Sequence, residues 1–344
     1  MMLEKGLAAL NLEMTDSVPR TEYSVFMHSQ LIETVTGMDN SLEAQRKFAQ
    51  MWDYCLTWNT LVGSGFLGKF RTSMGHSEYA ENGADRDENI FTLFKDENDV
   101  FNFDPLESLP YYEHDALVKM FEDNYAAQSG WISDAVTMTG TYITAMSGLI
   151  DMLGWDMLLT CAGYDPEKFG RLTNRYAEWV ERFYIALGDS SVPVIMVHDD
   201  IVWTEGAFMH PDWYRKYIFP NYKKYFSHLH GKGKKILFTS DGNFTEFIDD
   251  IADCGVSGFV MEPLTDMQYI ADKYGKTHSF IGNADTGILL NGTKEDIYNE
   301  VKRCMDIGKK HPGFIMAVGN HIPPNTPIEN CIYYDECCKK LGKR

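Results

Sequence analysis

Short apolar runs that end abruptly in polar residues recur through the second half of this 344-residue chain. A buried parallel strand gives such a run, because helices cover both faces of the sheet. The runs are 192–197 before His198, Asp199 and Asp200; 235–238 before Thr-Ser-Asp241-Gly; 258–261 before Glu262; 279–281 before Gly-Asn283-Ala-Asp285; and 313–318 before Gly-Asn320-His321. Parallel α/β folds carry their chemistry beyond the carboxyl ends of the strands, so the pattern predicts one cleft ringed by strand ends, and an enzyme.

Helical segments alternate with these runs. Residues 211–230 begin with a proline at the first helical position, and Pro220 predicts a bend within the helix. Residues 293–308 predict another helix, which begins with Thr293 and Asp296 at the spacing of a capping box. Helices between parallel strands require right-handed crossovers, and enough such units close a barrel, so the pattern predicts class α/β. The length allows one large α/β barrel or two medium domains.

The first half predicts a less regular architecture. Residues 165–187 and 148–161 are helical in pattern, and 91–93 with 100–103 predict an irregular strand pair on an acidic segment. Residues 63–104 are rich in Gly, Asn, Asp and Glu, which predicts long loops or a lid and not a separate domain.

Charge and cysteine content narrow the functional classes. Lys and Arg number 31 against 50 Asp and Glu, a net charge of −19 that disfavours nucleic acid and anionic membranes as partners. Seven cysteines form no disulfide-framework pattern, and residues 1–14 lack a signal-peptide core, so we expect a cytoplasmic protein with reduced thiols. No apolar run approaches membrane-spanning length, and no interdomain linker divides residues 1–344.

Five motifs at the predicted strand ends carry a family resemblance. They read Met-Thr-Gly-Thr at 138–141, Met-Val-His-Asp-Asp at 196–200, Phe-Thr-Ser-Asp-Gly-Asn at 238–243, Gly-Asn-Ala-Asp at 282–285 and Gly-Asn-His-Ile-Pro-Pro-Asn-Thr-Pro-Ile-Glu-Asn at 319–330. With them the chain resembles the uroporphyrinogen decarboxylase superfamily, most firmly over 131–342. The resemblance implies a single (β/α)8 TIM barrel with an irregular N-terminal half and its active site at the strand C-termini. It implies one of two activities: that of the haem-pathway decarboxylase, or that of corrinoid-dependent methyltransferases serving methanol, methylamines or methoxylated aromatics.

Departures from the decarboxylase pattern favour the methyltransferases. The decarboxylase begins its barrel with Arg-Gln-Ala-Gly-Arg, whose arginines hold the substrate carboxylates, whereas residues 17–23 here offer only Arg20. The decarboxylase also ends with Gly-His-Gly, where this chain reads Gly-Asn-His at 319–321.

The zinc ligands of the thiol-serving methyltransferases are also replaced. Those enzymes carry His-x-Cys-Gly and a later Cys, whereas this chain has Thr-Ser-Asp-Gly at 239–242 and Asn320 at the later position. Carboxylates and imidazoles remain as possible zinc ligands, as in family members that demethylate methoxylated aromatics.

Three overlapping sets of candidate site residues result. The catalytic candidates are His198, Asp199, Asp200 and His321; the metal candidates are Asp241, Glu262 and His321; and the substrate-binding candidates are Asn283, Asp285 and Asn320. Structural roles stay open for several of them. Asp241 fits a helix cap, one of Asn283 and Asp285 fits simple turn chemistry, and His198 fits a hydrogen-bonded cluster with its neighbours.

The expected function is transfer of a methyl group between a small methylated substrate, such as a methoxylated compound or a methylamine, and a corrinoid (cobalamin). The Asp-x-His-x-x-Gly signature of corrinoid modules is missing, so the corrinoid is expected on a partner protein that docks at the strand C-termini. The resemblance also suggests a homodimer. Two alternatives remain: a decarboxylase whose smaller carboxylated substrate is held by Arg20 or another cleft arginine, and a non-catalytic subunit of a methyltransferase system.

Overall fold

The computed structural model describes residues 2–72 and 93–344. Its strands are β1 (Leu56–Thr57), β2 (Thr60–Val62), β3 (Val136–Thr141), β4 (Val194–His198), β5 (Val202–Trp203), β6 (Gly206–Ala207), β7 (Lys235–Ser240), β8 (Gly258–Met261), β9 (Ser279–Ala284) and β10 (Phe314–Val318). Its helices are α1 (Met2–Leu10), α2 (Ser29–Thr36), α3 (Leu42–Met51), α4 (Glu97–Phe101), α5 (Pro105–Ser108), α6 (His114–Trp131), α7 (Ser147–Leu153), α8 (Trp155–Tyr164), α9 (Pro166–Asp189), α10 (Pro211–Tyr217), α11 (Phe219–Gly231), α12 (Ile248–Asp253), α13 (Met267–Tyr274), α14 (Thr286–Asn291), α15 (Lys294–Gly308) and α16 (Ile328–Leu341). Single 3₁₀ turns lie at Val25–Met27, Ser64–Leu67 and Thr245–Phe247.

The sheet is parallel and curls into a closed ring. Strands β3, β4, β7, β8, β9 and β10 pair in that order, and β1 and β2 pair in turn with the free side of β3 as one interrupted strand. Arg20 closes the gap, since it bridges Tyr54 before β1 on one side and Met316 of β10 on the other. The backbone oxygen of Arg20 accepts the Cys55 N–H at 2.7 Å. The predicted TIM barrel is confirmed, and the short segment around Arg20 fills its eighth position.

Alternate residues of each strand divide the core into two layers. In β4, Val194 and Met196 belong to the cluster inside the ring, whereas Ile195 and Val197 pack outward against the helices. The same alternation holds in β7 and β10, as expected for a closed sheet. Residues that continue the inward positions past the strand ends therefore point into the mouth of the barrel.

Helix α1 closes the opposite end of the barrel. Ala9 and Leu10 join the inner cluster, and the Ala9 oxygen accepts a hydrogen bond from the Ser279 hydroxyl at 3.1 Å. A Cβ atom at Gly6 would lie 2.5 Å from the Cys55 oxygen, so glycine permits this close approach. The end that α1 fills leaves the strand C-termini as the open end of the barrel.

The second half of the chain matches the predicted elements closely, and the first half departs from them. The capping box of Thr293 and Asp296 is confirmed. The helix expected at 211–230 is two helices, α10 and α11, that meet at Ile218 just before Pro220. The strand predicted at 100–103 is wrong: residues 100 and 101 end helix α4, and 102–103 follow it without regular structure. The Asp96 carboxylate caps the first turn of α4 through the N–H groups of residues 98 and 99.

Two of the sequence predictions fall on segments that the structure describes only in part. The strand predicted at 91–93 and the loop or lid predicted at 63–104 lie partly outside the described residues.

The seven cysteines are all described, and each is buried and free of a disulfide. Over residues 2–72 and 93–344, no helix combines the length and the apolar character needed to cross a membrane.

Candidate active site

The strand C-termini surround a cavity of about 210 Å³. Such a volume suits a small molecule. Met196 lies in its wall, and His198, Asp241 and Gly319 continue the inward positions of β4, β7 and β10. The described lining residues are Tyr23, Ser24, Trp58, Thr60, Tyr142, Met196, His198, Thr239, Asp241, Gly319, Asn320 and His321.

A histidine and two carboxylates converge at this cavity. The Nε2 atom of His198 lies 3.1 Å from Oδ1 of Asp200 and 3.6 Å from Oδ1 of Asp241. The backbone N–H of Asp241 donates to the same Asp200 oxygen at 2.9 Å. Because His198 pairs in register with Thr239 of β7, the ends of β4 and β7 bring the three side chains together.

The carboxylates set the charge of His198. Burial alone would lower the pKa of this imidazole, but Asp200, assisted by Asp241, outweighs that effect and raises the pKa well above its ordinary value. The ring of Tyr142 packs edge-on against the imidazole, with centroids 4.7 Å apart. The two carboxylates therefore favour the imidazolium form of His198, which is enclosed by acceptors and an aromatic ring.

The same three side chains offer a ligand set for a metal ion. One imidazole nitrogen and one oxygen from each of Asp200 and Asp241 lie within 4.8 Å of one another. Nitrogen and carboxylate oxygen ligands suit Zn²⁺, so the donor chemistry fits this ion. Among the described residues, these three side chains are the ones close enough together to share a metal ion. Only Asp241 also belongs to the predicted metal-binding trio of Asp241, Glu262 and His321.

Glu262 links two loops of the cavity mouth. Its Oε2 accepts the Gly242 N–H at 2.6 Å, and its Oε1 accepts the Asn320 amide at 2.6 Å. Burial, with a contribution from Asp241, raises the pKa of the Glu262 carboxyl group. The Oδ1 atom of Asn320 in turn accepts the backbone N–H of His321 at 2.8 Å.

His321 lies in the cavity wall as predicted. Burial lowers the pKa of its imidazole; Asp241 opposes that effect, and the nearby His198 adds to it. The pKa values of the two histidines in the cavity are thus displaced in opposite directions. Two titratable groups with such divergent pKa values suit distinct acid and base roles.

Family membership follows from the chain's similarity to known proteins. The family profile described as Uroporphyrinogen decarboxylase (URO-D) matches residues 130–341. The chain belongs to the uroporphyrinogen decarboxylase family. Two relatives named uroporphyrinogen decarboxylase, from Syntrophotalea carbinolica and Geobacter sulfurreducens, are 26% and 28% identical over 176 and 179 residues. These matches cover 51% and 52% of this chain but only 50% and 51% of the relatives, so the chain spans about half the length of the relatives it matches.

Structural similarity covers more of the chain. A methyltransferase from Methanosarcina mazei superposes with a TM-score of 0.66 at 17% sequence identity, covering 99% of this chain and 98% of that one. At this identity the similarity shows a shared fold. The shared fold includes the irregular first half of the chain, which the family profile does not reach.

Five of the predicted site residues do not line the cavity of this family member. Asp200 and Glu262 contact residues that do, namely His198 and Asn320, whereas the other three have different partners. Asp199 is fully buried, and its carboxylate accepts the N–H groups of Met146 and Ser147 and the hydroxyl of Tyr222. Asp199 therefore anchors the start of α7, and we no longer place it among the catalytic candidates.

Asn283 and Asp285 also have structural partners. The Oδ1 atom of Asn283 accepts a hydrogen bond from Arg303 of α15 at 3.0 Å, on the outer side of the ring. Asp285 caps α14 through the Gly287 N–H at 2.7 Å. Neither lines the cavity, so the predicted substrate-binding set is reduced to Asn320.

The sequence reasoning missed an aromatic wall. The rings of Tyr23 and Trp58 lie 4.2 Å apart at their centroids, and both line the cavity together with Tyr142. Tyr142 could have been found, because it follows the Met-Thr-Gly-Thr motif at an inward position of β3. Tyr23 and Trp58 lie outside regular strands, where no alternation marks them.

Arg20 is not available to a ligand in the cavity. Its guanidinium pairs with Asp335 of α16, and the two side chains are only 4% and 10% exposed. Arg20 also lies over the rings of Trp52 and Tyr334. Among the described residues that line the cavity there is no lysine or arginine.

Proposed function

We propose that the protein is a methyltransferase that moves a methyl group between a small methylated substrate and the corrinoid of a partner protein. One observation carries the proposal: the cavity joins an imidazolium–carboxylate cluster to an aromatic wall, and its described lining has no cationic lysine or arginine. A substrate with many carboxylates would need such cations. A methylated ether or amine needs a proton or a metal ion at its heteroatom, and the cluster can hold either.

The chemistry assigns separate tasks to the cavity residues. The bond between the methyl carbon and the heteroatom breaks, and the heteroatom leaves with the bonding electron pair. The proton at Nε2 of His198 neutralises that charge, while Asp200 and Asp241 keep the imidazole charged and oriented beforehand. Tyr23 and Trp58 cover apolar parts of the substrate and exclude water. When bound at the cavity mouth, the partner's corrinoid would supply a cobalt nucleophile for the methyl group.

The metal alternative uses the same residues. When bound, a zinc ion on His198, Asp200 and Asp241 would supply a Lewis acid for the leaving heteroatom. A proton and a metal ion compete for Nε2 of His198, so the two alternatives exclude each other in one molecule.

The test is a methyl-transfer assay. Purified protein is incubated with methoxylated or methylamine donors and reduced free cobalamin, and methylcobalamin is followed by its absorbance. Donor-dependent methylcobalamin that disappears in Asp200→Asn supports the proposal. Release of carbon dioxide from a carboxylated substrate without methylcobalamin would establish the decarboxylase alternative. Stable binding of a corrinoid protein without turnover of either kind would establish the non-catalytic subunit.

A further inference from the structure

We propose that Glu262 is a positioning residue that holds the loop after β7 and the loop after β10 in a fixed relation across the cavity mouth. The first loop carries Asp241, and the second carries Asn320 and His321. The catalytic part of this inference rests on the proposed methyl transfer, while its structural part does not.

The connection spans the ring between strands that are not neighbours. β8 ends at Met261 and pairs with β7 and β9, so β9 separates Glu262 from the end of β10. The Glu262 carboxylate nevertheless contacts both loops, with one oxygen on Gly242 and the other on Asn320. Among the hydrogen bonds of the described residues, this carboxylate joins the segments that carry Asp241 and His321.

Two glycines bring the loops close enough for this contact. A Cβ atom at Gly319 would lie 3.0 Å from the Cα atom of Glu262 and 2.5 Å from the Pro263 ring. Gly242 has φ +81°, and a Cβ atom there would lie 2.6 Å from the Trp203 oxygen. Gly319 thus lets the second loop approach the backbone of Glu262, and Gly242 lets the first loop adopt a positive φ close against Trp203.

The polarity of the contact explains why a carboxylate is needed. Both partners of Glu262 are N–H donors, and an ionised carboxylate offers only acceptors. The other end of the Asn320 amide accepts the His321 N–H, so the amide has one orientation that satisfies both neighbours. Glu262 thus determines which way Asn320 faces, and Asn320 in turn holds the backbone of His321.

A reversal of this polarity provides the test. In Glu262→Gln one side-chain oxygen becomes an NH₂ group, which faces a second donor. We expect kcat/KM for methyl transfer to fall by about 10- to 100-fold, the usual cost of removing a group that orients a site. The double variant Glu262→Gln with Asn320→Asp restores complementarity, because the new amide donates to the new carboxylate, whose other oxygen still accepts the His321 N–H. Because Asn320 also lines the cavity, the restored contact is judged from the amide resonances of Gly242 and His321 and not from turnover.

A second measurement does not depend on turnover. In ¹⁵N-labelled protein, the backbone amide resonances of Gly242 and His321 should both shift in Glu262→Gln and return towards their original positions in the double variant. The matched control is Glu246→Gln, since this glutamate is exposed in the 3₁₀ turn after the same loop. It should change neither resonance nor activity.

The outcomes separate the two proposals. Shifted and restored resonances in a protein that transfers no methyl group would leave the positioning role standing and reject the proposed function. Resonances unaffected by Glu262→Gln would overturn the positioning role. Zinc that is lost in Glu262→Gln and not regained in the double variant would also overturn it, because Glu262 would then be a metal ligand.

Discussion

The Nε2 atom of His198 lies 3.1 Å from Oδ1 of Asp200, and the same oxygen accepts the backbone N–H of Asp241. One carboxylate oxygen thus joins the ends of β4 and β7 at the cavity. Asp200 is itself held in place, because its N–H donates to the Ser147 hydroxyl of α7 at 2.8 Å. The acid that we assign to methyl transfer is therefore oriented before a substrate enters.

Replacement of His198 should remove this acid. For His198→Gln we expect methyl transfer to fall by about 100- to 10,000-fold, the range typical of general acid–base catalysis. In the unaltered protein the raised pKa of His198 keeps the acid protonated above pH 6.5, so the rate should fall only as the pH rises through that higher value. The measurement is the pH profile of kcat. His210→Gln is the control, since its side chain is 78% exposed outside the cavity.

Zinc content distinguishes the proton from the metal alternative. If the cluster binds a metal ion, protein purified without chelator should contain one zinc ion per chain, and Asp241→Asn should lose most of it. Zinc affinity should increase with pH, because the ion must displace the proton of His198. The readout is elemental analysis before and after dialysis against a chelator. Asp212→Asn, whose side chain is 76% exposed, should leave the zinc content unchanged.

The sequence predicts these residues because strand alternation is regular in the second half of the chain. The apolar runs place His198 and Asp241 at inward positions, and both line the cavity. The same alternation predicts that Asp199 points away from the cavity, because it continues the outward positions of β4. It is buried beneath α7 instead of facing the cavity.

Other features could not be read from the sequence. The apolar residues of the acidic segment suggest a strand at 100–103, but the cap at Asp96 begins helix α4, which ends at Phe101. The ion pair of Arg20 with Asp335 joins residues 315 positions apart, and no local pattern encodes such a contact. The orientation of Asn283 towards Arg303 likewise depends on the packing of α15.

The Arg20–Asp335 pair should contribute to stability and not to substrate binding. Arg20→Met leaves the buried Asp335 carboxylate with Lys339 as its remaining cationic partner, so we expect a loss of up to about 3–5 kcal/mol in the free energy of unfolding. Replacement of both residues, Arg20→Met with Asp335→Leu, should recover a large part of this loss. Urea denaturation measures both. An unchanged stability together with a raised KM for a carboxylated substrate would instead support the decarboxylase alternative.

Asp151 of α7 should make stability depend on pH. Burial, reinforced by the charge of Asp200, raises the pKa of Asp151 from 3.8 to about 8. The folded state therefore binds a proton that the unfolded chain releases. The resulting stability is fully present below pH 4 and is lost as the pH rises towards 8.

The variant Asp151→Asn should lack this dependence. Each pH unit between 4 and 8 costs the unaltered protein about 1.4 kcal/mol from this group, so from pH 5 to 7.5 it should lose about 3 kcal/mol relative to the variant. Urea denaturation at the two pH values measures the difference. Parallel losses in both proteins would mean that Asp151 is ionised in the folded state.

The bridge at Arg20 also determines which part of the chain can exist alone. The region matched by the family profile, 130–341, contains β3 and β10 but not the segments that lie between them in the ring. A fragment cut at those limits would present two unpaired strand edges, each able to add a strand from another molecule. Such a fragment is expected to self-associate. The region of sequence similarity is therefore shorter than the unit that must fold together.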